Sequence, residues 1–336
     1  MHSFRLSLNI RVFFCLFIFI LMFYGIKYTA DWGNYEYLVN NPDQSPDYMF
    51  GFFVSLLSEY DVNFELIFKL HVLFMGIAYL LWTRKITSMP ELIILFAINE
   101  YLLIANQVRF YLAWPIILIA IYELYKRHLL LFLIFSTVSF LCHKTVILVL
   151  IAVLLSDFVI QRSRFDKVFL PLVAISIALV PLAVVDFGYE KVSMYQQLHE
   201  GATVFGGIWN ELPFIVSILI IIRINHIVVR TNKSITETLD YRYLFSLALS
   251  SILFFGVGFF VQTIVHRFVG SMVLVWMAYI LYCFKFISLR KYKLEFLIYF
   301  ITIIVITPIF TLVYSIVKNN YYTNELIKTI YSYNFF

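Results

Sequence analysis

The feature that most constrains this 336-residue chain is a series of apolar runs separated by short polar breaks. A helix of about 20 apolar residues crosses the hydrocarbon core of a bilayer. The runs are continuous rather than alternating, so they indicate helices and not membrane-spanning strands. The sequence predicts an all-α polytopic membrane protein, a single integral membrane domain over residues 1–336. It has about eleven transmembrane helices, within a range of about nine to twelve. The runs lie at about 12–29, 63–82, 91–105, 110–125, 129–141, 145–160, 168–185, 212–230, 241–262, 268–284 and 294–317.

Composition excludes the main soluble classes. Hydrophobic residues make up 62% of the chain and charged residues 13%, whereas a soluble domain carries about 25% charged residues. A soluble enzyme, a nucleic-acid binder and a disordered protein are therefore excluded. The three cysteines form no CxxC pair, so a disulfide framework or a metal site has no support. No cofactor is predicted.

The distribution of Lys and Arg predicts how the chain is threaded. With a cytoplasmic N-terminus and eleven spans, 17 of the 25 basic residues fall in cytoplasmic segments, in agreement with the positive-inside rule. The larger external segments are then 30–62 and 186–211. Within the first, residues 49–58 form an apolar piece too short to span, which indicates a re-entrant or interfacial helix.

Four polar clusters stand out because ionisable residues near membrane depth often mark functional sites. This topology puts all four on the external side. They are Asp31-Trp32-Gly33-Asn34-Tyr35, Asn106-Gln107-Val108-Arg109, His143-Lys144 and His266-Arg267.

Each cluster has a structural and a functional interpretation. Asp31 and Tyr35, four residues apart, form a helix cap with an interfacial ring, or present a carboxylate and a phenol to a polar substrate. Arg109 and the His266-Arg267 pair anchor at headgroups, or bind phosphate through a guanidinium fork. His143 is a packed histidine, or a phosphate donor or base. Their convergence on one face favours metal-independent handling of a phosphorylated substrate.

The order and spacing of these motifs resemble the EpsG-like family, a branch of the Wzy-type polysaccharide polymerases. The resemblance covers about residues 28–155. In two places the chain departs from the usual pattern: Phe110 follows the arginine where Gln is usual, and Asp47 stands where Glu is frequent. The motifs that carry the resemblance are the Asp31–Tyr35 motif, Asp47-Tyr48-Met49-Phe50-Gly51-Phe52, the N-x-x-R-x-x-x-A pattern of Asn106, Arg109 and Ala113, and F-L-C-H-K-T with His143.

The resemblance implies a C-type glycosyltransferase-like fold and a polymerase on the outer face of the bacterial plasma membrane. Such an enzyme transfers a growing glycan from undecaprenyl pyrophosphate to the acceptor sugar of a new lipid-linked repeat. A flippase and a chain-length regulator are the expected protein partners, in a setting of membrane lipid and without nucleic acid.

Roles for individual residues follow from this chemistry as hypotheses. Asp31 is the predicted base, with Asp47 and Glu211 as alternatives. Arg109, together with His143 and Arg267, is predicted to stabilise the charge on the leaving pyrophosphate. The residues predicted to bind substrate are Trp32, Tyr35, Asp47, Tyr48, Asn106, Glu211, His266 and Arg267.

Three other functions remain open. An O-antigen-ligase-like enzyme uses similar groups but usually has a larger external loop than 186–211. A lipid-linked-sugar flippase, which is not an enzyme, needs charged residues through both leaflets, whereas the candidate groups here collect on one side. A membrane O-acyltransferase would carry a cytoplasmic R-x-x-R pattern, and Arg162-Ser163-Arg164 has a different spacing.

Overall fold

A computed structural model describes residues 2–58, 60, 63–162, 171–176, 204–258, 265–318 and 321–334. Throughout these ranges the regular structure is helical. The chain divides into two compact units, unit 1 (Met1–Leu148 with Ser315–Phe336) and unit 2 (Val149–Tyr314). The helices are α1 (His2–Tyr24), α2 (Trp32–Asn40), α3 (Tyr48–Ser58), α4 (Phe64–Ile86), α5 (Leu92–Asn99), α6 (Tyr101–Asn106), α7 (Val108–Tyr125), α8 (Leu129–Cys142), α9 (Ile147–Arg162), α10 (Val204–Thr231), α11 (Lys233–Thr236), α12 (Leu239–Ser250), α13 (Ile252–Gly258), α14 (Val273–Phe286), α15 (Arg290–Lys318) and α16 (Tyr321–Tyr331).

Five segments of the described chain are long and apolar enough to cross a membrane, by length and composition. Shorter apolar helices accompany them, among them the predicted short helix after Asp47. The protein is thus a helical membrane protein, as the sequence predicts. The five segments are Phe64–Ile86, Val108–Tyr125, Lys144–Arg162, Glu211–Thr231 and Arg267–Phe286. Most of the predicted run 168–185 and of the external segment 186–211 lies outside the described residues.

Two predicted runs are broken in the structure. The run 91–105 forms α5 and α6, which meet at Glu100, and the run 241–262 changes helix at Ser251. A further break at Gln107 separates α6 from α7. Broken helices at membrane depth occur where the backbone is buried in protein or lines a cavity. Glu100 is buried, so the first break belongs to the interior of unit 1.

In unit 1, α7 is the central helix, because it packs against α4 and α8 and 78% of it is buried. The outer helix α1 packs against α4 at Gly76. A Cβ on Gly76 would lie 2.9 Å from side-chain atoms of Leu16 and of Phe19. Glycine at this position therefore permits the close approach of the two helices.

The C-terminal segment closes on the end of α1. The backbone N–H of Asn334 donates to the carbonyl of Gly25 at 2.7 Å, and the Tyr333 hydroxyl donates to the carbonyl of Leu21. The Ser332 hydroxyl accepts from the N–H of Lys27 at 3.3 Å. These bonds hold α16 beside the loop that leads from α1 to α2.

Unit 2 has three hydrogen-bonded polar side chains inside an apolar core. The Tyr279 hydroxyl donates to the Tyr241 hydroxyl at 3.0 Å, and Tyr241 donates to Oδ1 of Asn225 at 2.5 Å. The three side chains belong to α14, α12 and α10. Because buried polar groups need hydrogen-bond partners, these two bonds fix how the three helices pack.

Candidate functional site

Asp47 is the centre of the polar cluster in unit 1. It is the last residue before α3, and its carbonyl accepts the N–H of Gly51 at 3.1 Å. Ser45 fixes the turn in front of the helix: its hydroxyl donates to the Asp47 carbonyl at 3.0 Å and accepts the Asp47 N–H at 3.4 Å. The carboxylate points inward, with 3% of the side chain exposed.

Arg109 reaches this carboxylate from the first turn of α7. Its Nη1 donates to Oδ2 of Asp47 at 2.7 Å. The guanidinium carbon lies 5.2 Å from the ring centre of Tyr35 and 5.3 Å from that of Phe50, within the range of cation–π attraction. The side chain is 18% exposed, and its buried Nε finds no hydrogen-bond acceptor among the described residues. The cation is therefore held in place with donor capacity to spare.

His143 approaches Asp47 from the end of α8. The helix stops at Cys142 because His143 takes an extended backbone conformation. Its Nδ1 lies 3.6 Å from Oδ1 of Asp47 and 3.4 Å from Oγ1 of Thr145. The backbone N–H of Lys144 donates to the same Asp47 oxygen at 3.4 Å. Nδ1 thus faces protein oxygens, an arrangement that orients an imidazole.

Phe110 packs perpendicular to the imidazole of His143, with ring centres 5.6 Å apart. It is the residue that stands where the EpsG-like pattern usually has Gln. Because the two rings pack at a right angle, Phe110 limits how far the imidazole can rotate.

The break between α6 and α7 is stabilised by the loop that precedes α2. Oδ1 of Asn106 accepts the backbone N–H of Ala30 at 3.0 Å. The Tyr35 hydroxyl donates to the Asn106 carbonyl at 3.2 Å. These bonds satisfy polar groups that a continuous helix would have paired internally. Asn106 therefore positions the start of α7 and, with it, Arg109.

The predicted aromatic contacts divide into buried and exposed rings. Trp32 and Tyr35 are buried against Phe64, at ring-centre distances of 4.7 and 5.0 Å. Tyr48 is 63% exposed, and the Nζ of Lys144 lies 4.9 Å from its ring centre. Of these three rings, all predicted to bind substrate, Tyr48 is the exposed one.

Asp31 lies at the edge of this arrangement. It precedes α2, and its carbonyl accepts the N–H of Tyr35 at 3.1 Å. Its carboxylate forms no cap hydrogen bond to the helix and is partly buried. Ala30, its neighbour, is bonded to Asn106, so Asp31 belongs to the same end of unit 1 as Asp47.

The remaining predicted residues belong to unit 2. Glu211 begins a candidate span and is fully buried, and neither carboxylate oxygen finds a hydrogen-bond partner in the part of the chain that the structure describes. Arg267 is partly buried in a π-helical turn, Val265–Val269. Such turns are frequent at functional sites. The side chain of His266 lies outside the described residues.

Sequence reasoning overlooked Ser45, Phe50 and the backbone of Lys144 as parts of the site. Phe50 carried a detectable signal, since it follows Asp47 by three residues on a helix and so shares its face. The other two act through local turns that leave little trace in composition. Among the described residues no group of three or more His, Cys, Asp or Glu side chains is placed to hold a metal ion.

Comparison with known proteins gives one family. The sequence model of the EpsG family matches residues 10–334, nearly the whole chain. No curated protein and no solved structure matches.

Proposed function

The chain belongs to the EpsG family, and on this premise we propose that it polymerises lipid-linked oligosaccharide repeats. The reaction takes place on the outer face of the bacterial plasma membrane. The donor is a growing glycan on undecaprenyl pyrophosphate, and the acceptor is the terminal sugar of one new lipid-linked repeat. The enzyme has a C-type fold with about eleven spans. The observation that carries the proposal is the buried Asp47 carboxylate held between Arg109 and His143, hereafter the Asp47 site.

Arg109 stabilises the leaving group. As the acceptor hydroxyl attacks the anomeric carbon, the bond from that carbon to the pyrophosphate oxygen breaks, and the lipid pyrophosphate leaves with the electron pair. Arg109 uses one nitrogen for Asp47, and its other donors remain for phosphate oxygens. A fixed cation at the place where charge develops lowers the barrier without reorganising at the moment of reaction.

His143 accepts the proton of the acceptor hydroxyl. In the tautomer that carries its proton on Nδ1, the nitrogen that faces Asp47, Nε2 is the acceptor nitrogen of the neutral ring. Asp47 then stabilises the imidazolium that forms, the same division of roles as in an Asp–His pair of a hydrolase. The carboxylate itself is tied to Arg109 and is a weak base, so its part is to position the cation and the imidazole.

Two variants distinguish His143 from Asp31 as the base. His143→Gln is expected to lower kcat by about 10²–10⁴, the usual contribution of a general base. Asp31→Asn is expected to keep kcat within a few-fold of the unaltered enzyme, because Asp31 lies at the edge of the cluster. Turnover of a lipid-linked repeat by purified protein measures both. The opposite pattern, with Asp31→Asn inactive and His143→Gln active, assigns the base to Asp31.

The function itself is tested by deleting the gene and resolving surface and lipid-linked glycans by size. Loss of the polymerase is expected to collapse the ladder to a single-repeat band. Accumulation of long glycan on undecaprenyl pyrophosphate identifies a ligase instead, and failure of any repeat to reach the outer face identifies a flippase. An unchanged ladder contradicts a role in glycan assembly.

A further inference from the structure

A second basic cluster lies at the same end of unit 1, and the Asp47 site does not use it. The Nζ of Lys27 lies 2.8 and 2.9 Å from the two carboxylate oxygens of Glu65. The Nζ of Lys69, one helical turn along α4, lies 2.6 Å from Oε1 of the same carboxylate. We call Lys27, Glu65 and Lys69 the lysine cluster.

The lysine cluster carries a net positive charge. One carboxylate neutralises one ammonium group, and here two ammonium groups share it. The exposed fractions are 37% for Lys27, 22% for Lys69 and 24% for Glu65. The groups are therefore partly desolvated, which strengthens their attraction for an anion, but a ligand can still reach them. The positive-inside rule disfavours lysines at the predicted outer end of the helices, so their presence there calls for a partner.

An apolar surface leads away from the cluster along α1. The Nζ of Lys69 lies 4.2 Å from the ring centre of Tyr24, which is itself exposed. Phe17, seven residues earlier and thus on the same helix face, is also exposed, as are Phe14 and Phe13. A cationic group at the end of an exposed apolar helix face matches a ligand with an anionic head and an isoprenoid tail.

The lysine cluster and the Asp47 site are close neighbours. Phe64, next to Glu65 in the chain, stacks on Tyr35 with ring centres 5.0 Å apart and planes 8° apart. Another neighbour of the Tyr35 ring is Arg109, whose guanidinium carbon is 5.2 Å from its centre. Tyr35 thus contacts both Arg109 and the residue that precedes Glu65, so the two cationic groups belong to the same part of unit 1 and could each hold one anionic lipid head.

We propose that Lys27 and Lys69 bind the pyrophosphate of the acceptor repeat while Arg109 binds that of the donor. This assignment rests on the proposed polymerase function. Arg109 suits the donor, because its fixed fork stabilises charge that develops during the reaction. The acceptor pyrophosphate does not react and needs only to be held, for which lysine point charges suffice.

Binding of undecaprenyl pyrophosphate to purified full-length protein tests the site without any turnover. The unaltered protein is expected to bind at two sites, and Lys27→Ala/Lys69→Ala to lose one of them with an affinity loss of about tenfold or more. Arg109→Ala is expected to lose the other. If the double variant binds like the unaltered protein, the lysine site is wrong. If both sites bind but no repeats are joined, the polymerase function fails and the binding site stands.

Steady-state kinetics assign the site to the acceptor. The double variant is expected to raise the KM for the acceptor about tenfold and to leave kcat and the donor KM within about twofold. Lys126→Ala is the matched control, because its Nζ lies 4.4 Å from the Tyr122 ring centre near the C-terminal end of α7. A rise in the donor KM instead of the acceptor KM overturns the assignment.

Glu65→Gln provides a test that does not depend on removing the lysines. It keeps the shape of the side chain and frees both ammonium groups, so the acceptor KM is expected to fall by a few-fold, more strongly at low salt. A purely structural ion-pair cluster would give a lower Tm and an unchanged or higher KM. That outcome overturns the proposal even where the double alanine variant does not fold.

Discussion

Replacing Arg109 by alanine is expected to reduce repeat-unit joining by about 10²–10³, or roughly 2.7–4 kcal/mol of transition-state stabilisation. Glycan chains should then remain at one or a few repeats. The reason is that Arg109 is the cation that the fold holds beside the buried carboxylate of Asp47. Its loss leaves the charge on the departing pyrophosphate without its main partner in the Asp47 site.

Arg109→Lys separates charge from geometry. Lysine keeps the positive charge but lacks the planar fork that lies near the rings of Tyr35 and Phe50, so activity is expected to stay at least about tenfold below that of the unaltered enzyme. Arg84→Ala is the matched control, because Arg84 is exposed in the last turn of α4. Rates and chain lengths from purified protein and from cells are the measurements. Normal chain length in Arg109→Ala would show that this residue does not act on the pyrophosphate.

Asp47→Asn is expected to be nearly as damaging, with a loss of about 10²–10³ in rate and a lower Tm. The substitution keeps the size of the side chain and removes the charge that holds Arg109 and faces His143. Breaking a buried ion pair by removing one partner costs about 3–5 kcal/mol. Asp47→Glu retains the charge and is expected to keep most of the activity. Glu is the residue that is frequent at this position of the EpsG-like pattern.

The control for Asp47 lies four residues earlier in the chain. Asp43 is exposed in a short 3₁₀ turn, so Asp43→Asn should leave both rate and Tm unchanged. Thermal unfolding in detergent and turnover of lipid-linked repeats are measured on the same preparations. Full activity in Asp47→Asn would remove the ion pair from the mechanism and leave it a structural role alone.

Much of the site could be predicted from sequence because charge is scarce in this chain. Arg109 and His143 stand out among apolar runs, where an ionisable residue needs a reason to be present. The structure places both against one carboxylate. It also shows that Asp47, predicted as a substrate-binding residue and as an alternative base, is the residue they share.

The relative importance of Asp31 and Asp47 could not be ranked from sequence. Both are acidic residues beside short helices in the same external segment, and composition does not distinguish them. The partner of Asp47 in α7 is 62 residues away along the chain, a separation at which pattern and propensity carry no information. Only the packing of α3 against the ends of α7 and α8 decides that Asp47 is the buried carboxylate.

The helix breaks also depend on contacts between segments that are distant along the chain. Residues 91–105 are predominantly apolar, and their hydropathy predicts one helix, but the structure divides them at Glu100. Breaking a helix leaves backbone groups unpaired. At the next break, Asn106 is bonded to Ala30 and Tyr35, residues more than seventy positions earlier. Such compensation depends on which segments meet, and hydropathy does not contain that information.

The sequence by itself determined that the chain folds in a membrane, that its secondary structure is helical, and which residue types are available for chemistry. Apolar runs must leave water, their backbone must pair internally as helix, and the few charged groups must collect where they find partners. The tertiary structure alone decided which charges meet: Asp47 with Arg109 and His143, and Lys27 with Lys69 around Glu65. The physical reason is that hydrophobic burial acts without direction, whereas ion pairs and hydrogen bonds require particular atoms within about 3 Å of one another.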